Sequence, residues 1–290
     1  MLHLVQSRYS IEYPYCPTRY LQFSDYLKDI DSSCQINIVH GIDSINGTVY
    51  DKYKNILIEF EEPNFLGQRD LQKYIDFTSK FSTKLTLCPY TSRLFNKLVG
   101  KDICKPCFFP TNIDYIVNRI GIPSFSDKTN DVLYIGNIVN PFINQLYIRS
   151  TFKHAITDYI YKYEMLYKTK ILICHNLLFL ERHNELFSIM TSLMPELASN
   201  NKQVPQLKSR TFEAGFSLCI PLVYYEHSKL IETYFTPDID FVYFYSIEDL
   251  DIKIKNILDN YDSYKYIATN CYNKCISSYT VPRFIEKYML

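Results

Sequence analysis

Five short apolar runs in the first part of the chain, LHLVQS (2–7), CQINIVH (34–40), NILIEF (55–60), KLTLCP (84–89) and KPCFFP (105–110), are bounded by Pro, Gly, Asp or Ser. Runs of this length and bounding read as β-strands. The stretches between them, 18–30, 67–82 and 91–100, space their apolar residues at three and four. In LQKYIDFTSKF, for example, Leu71, Tyr74, Ile75, Thr78 and Phe81 form one stripe, the mark of an amphipathic helix. Strand and helix alternating in this rhythm require a parallel sheet covered on both faces.

A second alternation follows GIPSFSDKTND (121–131), a segment of Gly, Pro, Ser and charges without periodicity that reads as a linker. DVLYIGNI (131–138), TKILICHN (169–176) and FVYFY (241–245) read as strands. The segments 142–168, 181–194, 247–259 and 262–277 read as helical, and ELASNNKQVPQ as a polar loop. A chain of 290 residues is long enough for two cores. The expected organisation is α/β, with two Rossmann-like doubly wound domains, 1–125 and 126–290. In open parallel sheets, ligands sit at the carboxyl ends of the strands.

Composition removes several functions. Thirty-one basic residues balance thirty-one acidic ones, so no overall field draws the chain to nucleic acid, and a charged ligand must be met by a local patch. No apolar run approaches the roughly 18 residues that cross a bilayer, and MLHLVQSRYS lacks a signal-peptide pattern. The expectation is a soluble, cytoplasmic protein without a transmembrane segment. Nine cysteines, an odd number placed mostly in apolar runs, read as free core thiols. Cys104 and Cys107 form the one C-x-x-C, without a second pair or a nearby His to complete a zinc site, and Cys271 and Cys275 read as packing one helical turn apart. Neither a G-x-x-x-x-G-K loop nor a G-x-G-x-x-G after a strand occurs, which removes P-loop hydrolysis and disfavours dinucleotide binding.

The segment LKSRTFEAGFSLCIPLVYY (207–225) has the most pointed chemistry. Ser209 is placed to cap a short helix, Phe212 and Phe216 point to one side, and Arg210 and Glu213 share a face. Cations at a helix start oppose its dipole unless an anion sits among them, and a phosphate removes the conflict. On the functional reading Lys208 and Arg210 neutralise a diphosphate while Glu213 accepts from a ribose diol. On the plain reading this is a capped helix with a surface ion pair.

The order K-x-R-x-F-E, then I-P ahead of a strand, then F-x-P-x-x-D, E-D-L and a helix pair ending in Y-T resembles the C-terminal domain of GT-B glycosyltransferases. It is nearest to the spore-maturation-type members of the group 1 glycosyl transferases. YIGN (134–137), with Arg149 beyond it, is similar to the first strand and glycine turn of that domain, and FFPTNID (108–114) to the segment closing the first. The resemblance implies two domains facing across a cleft and a nucleotide sugar held mainly by the second. Glu213 would lie on the ribose, Lys208 and Arg210 near the diphosphate, and Gly136 and Asn137 on its other side. It also implies that the C-terminal helix VPRFIEKYML crosses back to the first domain. Two departures stand out: Leu218 and Cys219 replace the glycines that usually precede I-P, and Pro205 stands where retaining relatives carry a second acid.

The first domain is expected to supply the acceptor and any base. His40 ends the run CQINIVH, and imidazole suits proton transfer near neutral pH. Glu61 and Glu62 follow NILIEF and precede Pro63. Adjacent residues point to opposite faces, so one of these two at most enters a site. The expected function is transfer of a sugar from a UDP-sugar or GDP-sugar to a hydroxyl of a glycan or other acceptor, with no cofactor and no metal. Its partners are then the nucleotide sugar and the acceptor. The alternative is a module that binds a sugar nucleotide or glycan without turning it over. An oxidoreductase would need a glycine-rich first turn that LHLVQSRYS does not offer.

Overall fold

The computed structural model describes residues 3–5, 26, 36–40, 54–58, 71–152, 158–179, 184–197 and 203–290. It divides into two compact units. The first comprises Met1–Asn112, Leu177–Gln206 and Val281–Leu290, the second Ile113–Asn176 and Leu207–Thr280. A single division at 125/126 treats each domain as one continuous stretch, whereas the packing groups 177–206 and the last ten residues with the first unit.

The first unit is built on a parallel sheet of β1 (His3–Val5), β2 (Ile36–His40), β3 (Lys54–Ile58), β4 (Thr83–Thr86) and β5 (Cys104–Pro106), in that spatial order. Its described helices include α1 (Leu71–Thr78) and α2 (Pro89–Val99). Pro89 starts α2 with the φ a helix needs, and Gly100 ends it at φ 70°, its N–H donating to Asn96 O. The Asn96 side chain then ties the helix to β5, accepting from Cys104 N at 2.7 Å and donating to Cys104 O at 3.0 Å.

The reason 177–206 joins this unit is apolar. A pair of antiparallel strands, β8 (Leu177–Phe179) and β9 (Gln203–Pro205), brackets the helix α6 (Asn184–Leu193). Leu178, Met190, Met194 and Val204 bury themselves in one cluster with Leu94 and Phe95 of α2. The closing helix α10 (Val281–Tyr288) also packs here. Phe284 sets its ring edge-on to Phe108 at 5.4 Å, and Val281 N donates to Thr111 O at 3.1 Å. The C-terminal helix thus returns to the first unit.

The second unit holds a parallel sheet in the order β11 (Val242–Phe244), β10 (Ile220–Tyr224), β7 (Thr169–Cys174), β6 (Asn130–Leu133). Ile171 to Cys174 are fully buried, as strands covered on both faces must be. The described helices of this unit are α3 (Ile113–Ile120), α4 (Pro141–Tyr147), α5 (Tyr159–Tyr167), α7 (Arg210–Phe216), α8 (Ile247–Asp259) and α9 (Tyr261–Ser278). Among its described residues the stretch 142–168, expected as one helical region, holds parts of α4 and α5. Both sheets progress from one edge to the other, without the reversal that makes a switch point among the described strands. Apolar runs identify strands, and their order is decided by which crossovers bury the helices.

Several sequence motifs are explained by this packing alone. Lys128, in the segment read as a linker, is buried, its Nζ donating to Ser217 O at 2.7 Å and Leu166 O at 3.3 Å, and burial pulls its pKa down. In F-x-P-x-x-D, the buried Asp240 accepts from Thr236 N at 2.8 Å and Lys274 Nζ at 2.7 Å, closing the loop onto α9. In S-I-E-D, Ser246 caps α8 by accepting from Asp249 N, and Asp249 accepts from Tyr245 N. The described cysteines are buried free thiols. Cys271 and Cys275 of α9 press against Gly215 of α7, where an added Cβ would lie 2.9 Å from Cys271 Sγ and closer still to Cys275 Sγ. Gly215→Ala is expected to lower stability by about 1–3 kcal/mol through overpacking. Urea unfolding measures it, and an unchanged midpoint would show that the two helices have room to part.

Candidate functional site

The carboxyl ends of β6 and β7 bring together the residues with chemistry to offer. After β6 the chain runs through Tyr134, Ile135, Gly136 and Asn137; after β7 it runs through His175 and Asn176. Arg210, the first residue of α7, reaches back to both. Its Nε donates to Ile135 O, its Nη1 lies 3.5 Å from His175 Nε2, and its guanidinium carbon sits 5.2 Å from the centre of the Tyr134 ring. Tyr134 Oη lies 3.2 Å from His175 Nε2, with the two rings stacked 6.1 Å apart. Arginine has no acceptor, so its contact is a hydrogen bond in the tautomer that leaves Nε2 unprotonated. Burial holds the Tyr134 phenol above its ordinary pKa, so it stays protonated and able to donate.

Gly136 completes this arrangement. Its φ is +150°, and a Cβ there would fall on the Arg210 guanidinium and lie 3.1 Å from Tyr134 Oη. Only glycine lets the β6 turn come this close to the arginine. Asn137 beside it is exposed. Lys208, two residues before Arg210, is fixed through its backbone, whose N–H donates to Asn176 Oδ1 at 2.9 Å. The Arg210 guanidinium and the Gly136 turn thus meet at the strand ends, with the backbone of Lys208 held beside Asn176.

Glu213 lies one turn further along α7 and is buried. It does not pair with Arg210, although the two are three residues apart. Its Oε1 accepts from Lys162 Nζ of α5 at 2.7 Å, with the two side chains 4% and 14% exposed. Lys162 also lies 5.0 Å from the Tyr159 ring centre. The first turn of α7 points Arg210 at the strand ends and Glu213 into the α5 contact, and this separates them. Ser209 has helical backbone angles and makes no side-chain cap bond, so the expected cap is absent. Arg149, noted beyond YIGN, grips Asp251 of α8 with two nitrogens, Nη2 to Oδ2 at 2.7 Å.

Of the residues expected to act on the acceptor, the structure describes only the backbone of one. His40 closes β2, and its side chain lies outside the described structure. Glu61 and Glu62 lie outside the described residues. Lys162, His175, Asn176 and Tyr134 were not singled out from sequence. Lys162 is hidden in the Tyr-rich helix YIYKYEMLY. His175 and Asn176 carried a usable signal, two polar residues ending the buried run ILIC, where ligands meet parallel sheets. Among the described residues no three His, Cys, Asp or Glu side chains gather as a metal-holding group, and no helix is long and apolar enough to cross a membrane.

No family model and no curated protein matches the sequence. Solved structures do match. The chain is similar to an alpha-glucosyltransferase in complex with UDP-glucose and DNA containing an abasic site, at TM-score 0.56 and 10% identity over 92% of this chain and 82% of that one. It is similar to sucrose-phosphate synthase from Thermosynechococcus elongatus, at TM-score 0.55 and 9% identity over 87% and 71%. It is also similar to HepE of Anabaena in complex with UDP-glucose, at TM-score 0.51 and 11% identity over 87% and 77%. At such identities the likeness is one of fold, and the structures that share this fold are GT-B glycosyltransferases.

Proposed function

We propose that this protein is a glycosyltransferase that moves a sugar from a nucleoside diphosphate sugar to a hydroxyl of a glycan or other acceptor. The observation that carries the reading is the meeting of Arg210 with the Gly136 turn at the carboxyl ends of β6 and β7, beside the anchored backbone of Lys208. On this reading the diphosphate lies against Lys208 and Arg210, with the Gly136–Asn137 backbone on its other side. The α7 helix has seven residues, so the two cations, more than a helix dipole, oppose the charge of the leaving diphosphate. They do so in place of a metal.

Glu213 is the residue assigned to the ribose. It already holds Lys162, so the diol shares the carboxylate with the ammonium. The acceptor hydroxyl loses its proton to His40 or to one of Glu61 and Glu62, in the first domain. The bound UDP-glucose of HepE and of the alpha-glucosyltransferase supports a UDP-sugar as the first donor to try. The K-x-R-x-F-E order supports kinship with the spore-maturation-type enzymes.

Thermal unfolding with UDP, GDP, CDP, ADP and their common sugars tests the reading. One nucleoside diphosphate at a hundred times its dissociation constant is expected to add about 2.7 kcal/mol. The gain is expected to be lost in Glu213→Gln. No gain with any of them, from a cooperatively folded protein, would overturn the reading. A gain without transfer or hydrolysis of any donor would turn the enzyme into a binding module.

A further inference from the structure

Asn176 follows β7 and is 1% exposed. Its Oδ1 accepts from Lys208 N at 2.9 Å, while its Nδ2 is buried without a hydrogen-bond partner. The orientation of the amide is fixed by chemistry. Lys208 N–H can only donate, so the oxygen must face it, and the flipped amide would set two donors against each other. A buried hydroxyl can turn until it finds an acceptor. A planar amide pinned at its oxygen cannot, and an unmatched buried N–H calls for an explanation. The neighbours of this N–H narrow the answer. Asn176 follows His175, whose ring meets Arg210, and accepts from the backbone of Lys208, so the residue stands at the strand end that the Arg210 guanidinium reaches. An acceptor oxygen drawn there by the guanidinium is an anionic one.

We infer that Asn176 is a donor-binding residue whose Nδ2 gives its N–H to a phosphoryl oxygen of the bound nucleoside diphosphate. This rests on the reading of these strand ends as a donor site. The amide supplies direction where Arg210 and Lys208 supply charge. Because its oxygen fixes Lys208 at the same time, it also couples the position of the phosphate to the start of α7.

Calorimetric titration of the full chain with UDP, GDP, uridine and inorganic pyrophosphate tests this in wild type, Asn176→Asp and Asn176→Ala. Aspartate keeps an oxygen for Lys208 N, and alanine removes the donor without adding charge. Both variants are expected to bind the diphosphate and pyrophosphate at least tenfold more weakly, with uridine affinity changed less than twofold. Variants that bind as wild type does, or that lose uridine equally, overturn the inference, as does a wild type that binds none of the probes. A wild type that binds pyrophosphate in an Asn176-dependent way but no nucleotide keeps the phosphoryl contact of Asn176 and overturns both the nucleotide as its ligand and the glycosyltransferase reading. Nucleotide binding indifferent to Asn176 does the reverse. Should both variants fail to fold, the side-chain amide signals of Asn176 in wild-type NMR spectra decide. They are expected to shift when UDP is added, and stationary signals would overturn the assignment.

Discussion

Replacing Lys162 by methionine is expected to lower the unfolding free energy by about 3–5 kcal/mol, because it leaves the Glu213 carboxylate buried without its cation. The effect is large because the carboxylate is almost wholly withdrawn from water and, among the described residues, Lys162 is the cation bonded to it. Changing both partners, Lys162→Met with Glu213→Leu, is expected to recover most of the loss, since an apolar pair of similar volume removes the desolvation cost along with the attraction. Urea unfolding of the two single variants and the double variant forms the cycle that isolates the pair. A Lys162→Met protein within about 0.5 kcal/mol of wild type would mean that water or another group reaches Glu213. The carboxylate would then be more open to a ribose than its burial implies.

Phe212→Ala is expected to cost a comparable amount, about 3–5 kcal/mol, through a cavity in the middle of the same unit. The ring is fully buried and meets the rings of Tyr234, Phe235 and Tyr279 edge-on at 5.6, 5.1 and 5.1 Å. These partners come from the loop after β10 and from the end of α9, so the side chain ties three parts of the unit together. Phe212→Leu is expected to retain more than half of what alanine loses. If calorimetric unfolding gave equal losses for the two, ring stacking would outweigh volume as the source of stability.

Much of the fold could be read from the sequence because its strands announce themselves. TKILICHN contains Thr169–Cys174, FVYFY contains Val242–Phe244, and the helix expected over 247–259 has those bounds. Each is a period that survives packing. What escaped was set by partners distant along the chain. QVP was read as part of a polar loop, yet pairs as β9 with β8, and only the apolar cluster under α6 makes that pairing worthwhile. The candidate site divides in the same way. The crowding of Lys208 and Arg210 and the glycine turn at Gly136 are visible in the sequence, and the structure sets the Arg210 guanidinium against that turn. The partner of Glu213 was not, because helical spacing offers Arg210, and choosing Lys162 instead depends on how α5 lies against α7. Asn176 was passed over because an unsatisfied N–H exists only once every neighbour is in place.

The two-unit division also bears on how the protein is made. The chain passes from the first unit to the second after Asn112, back after Asn176, over again after Gln206 and home after Thr280. A ribosome that delivers about 5–20 residues each second therefore hands over the first unit in three instalments, and the unit begun first is finished last. Until α10 emerges, Phe108 lacks the ring it packs against, and its apolar surface stays available to other chains. Growing chains of this protein are thus expected to depend on chaperones for longer than chains whose domains are completed in turn.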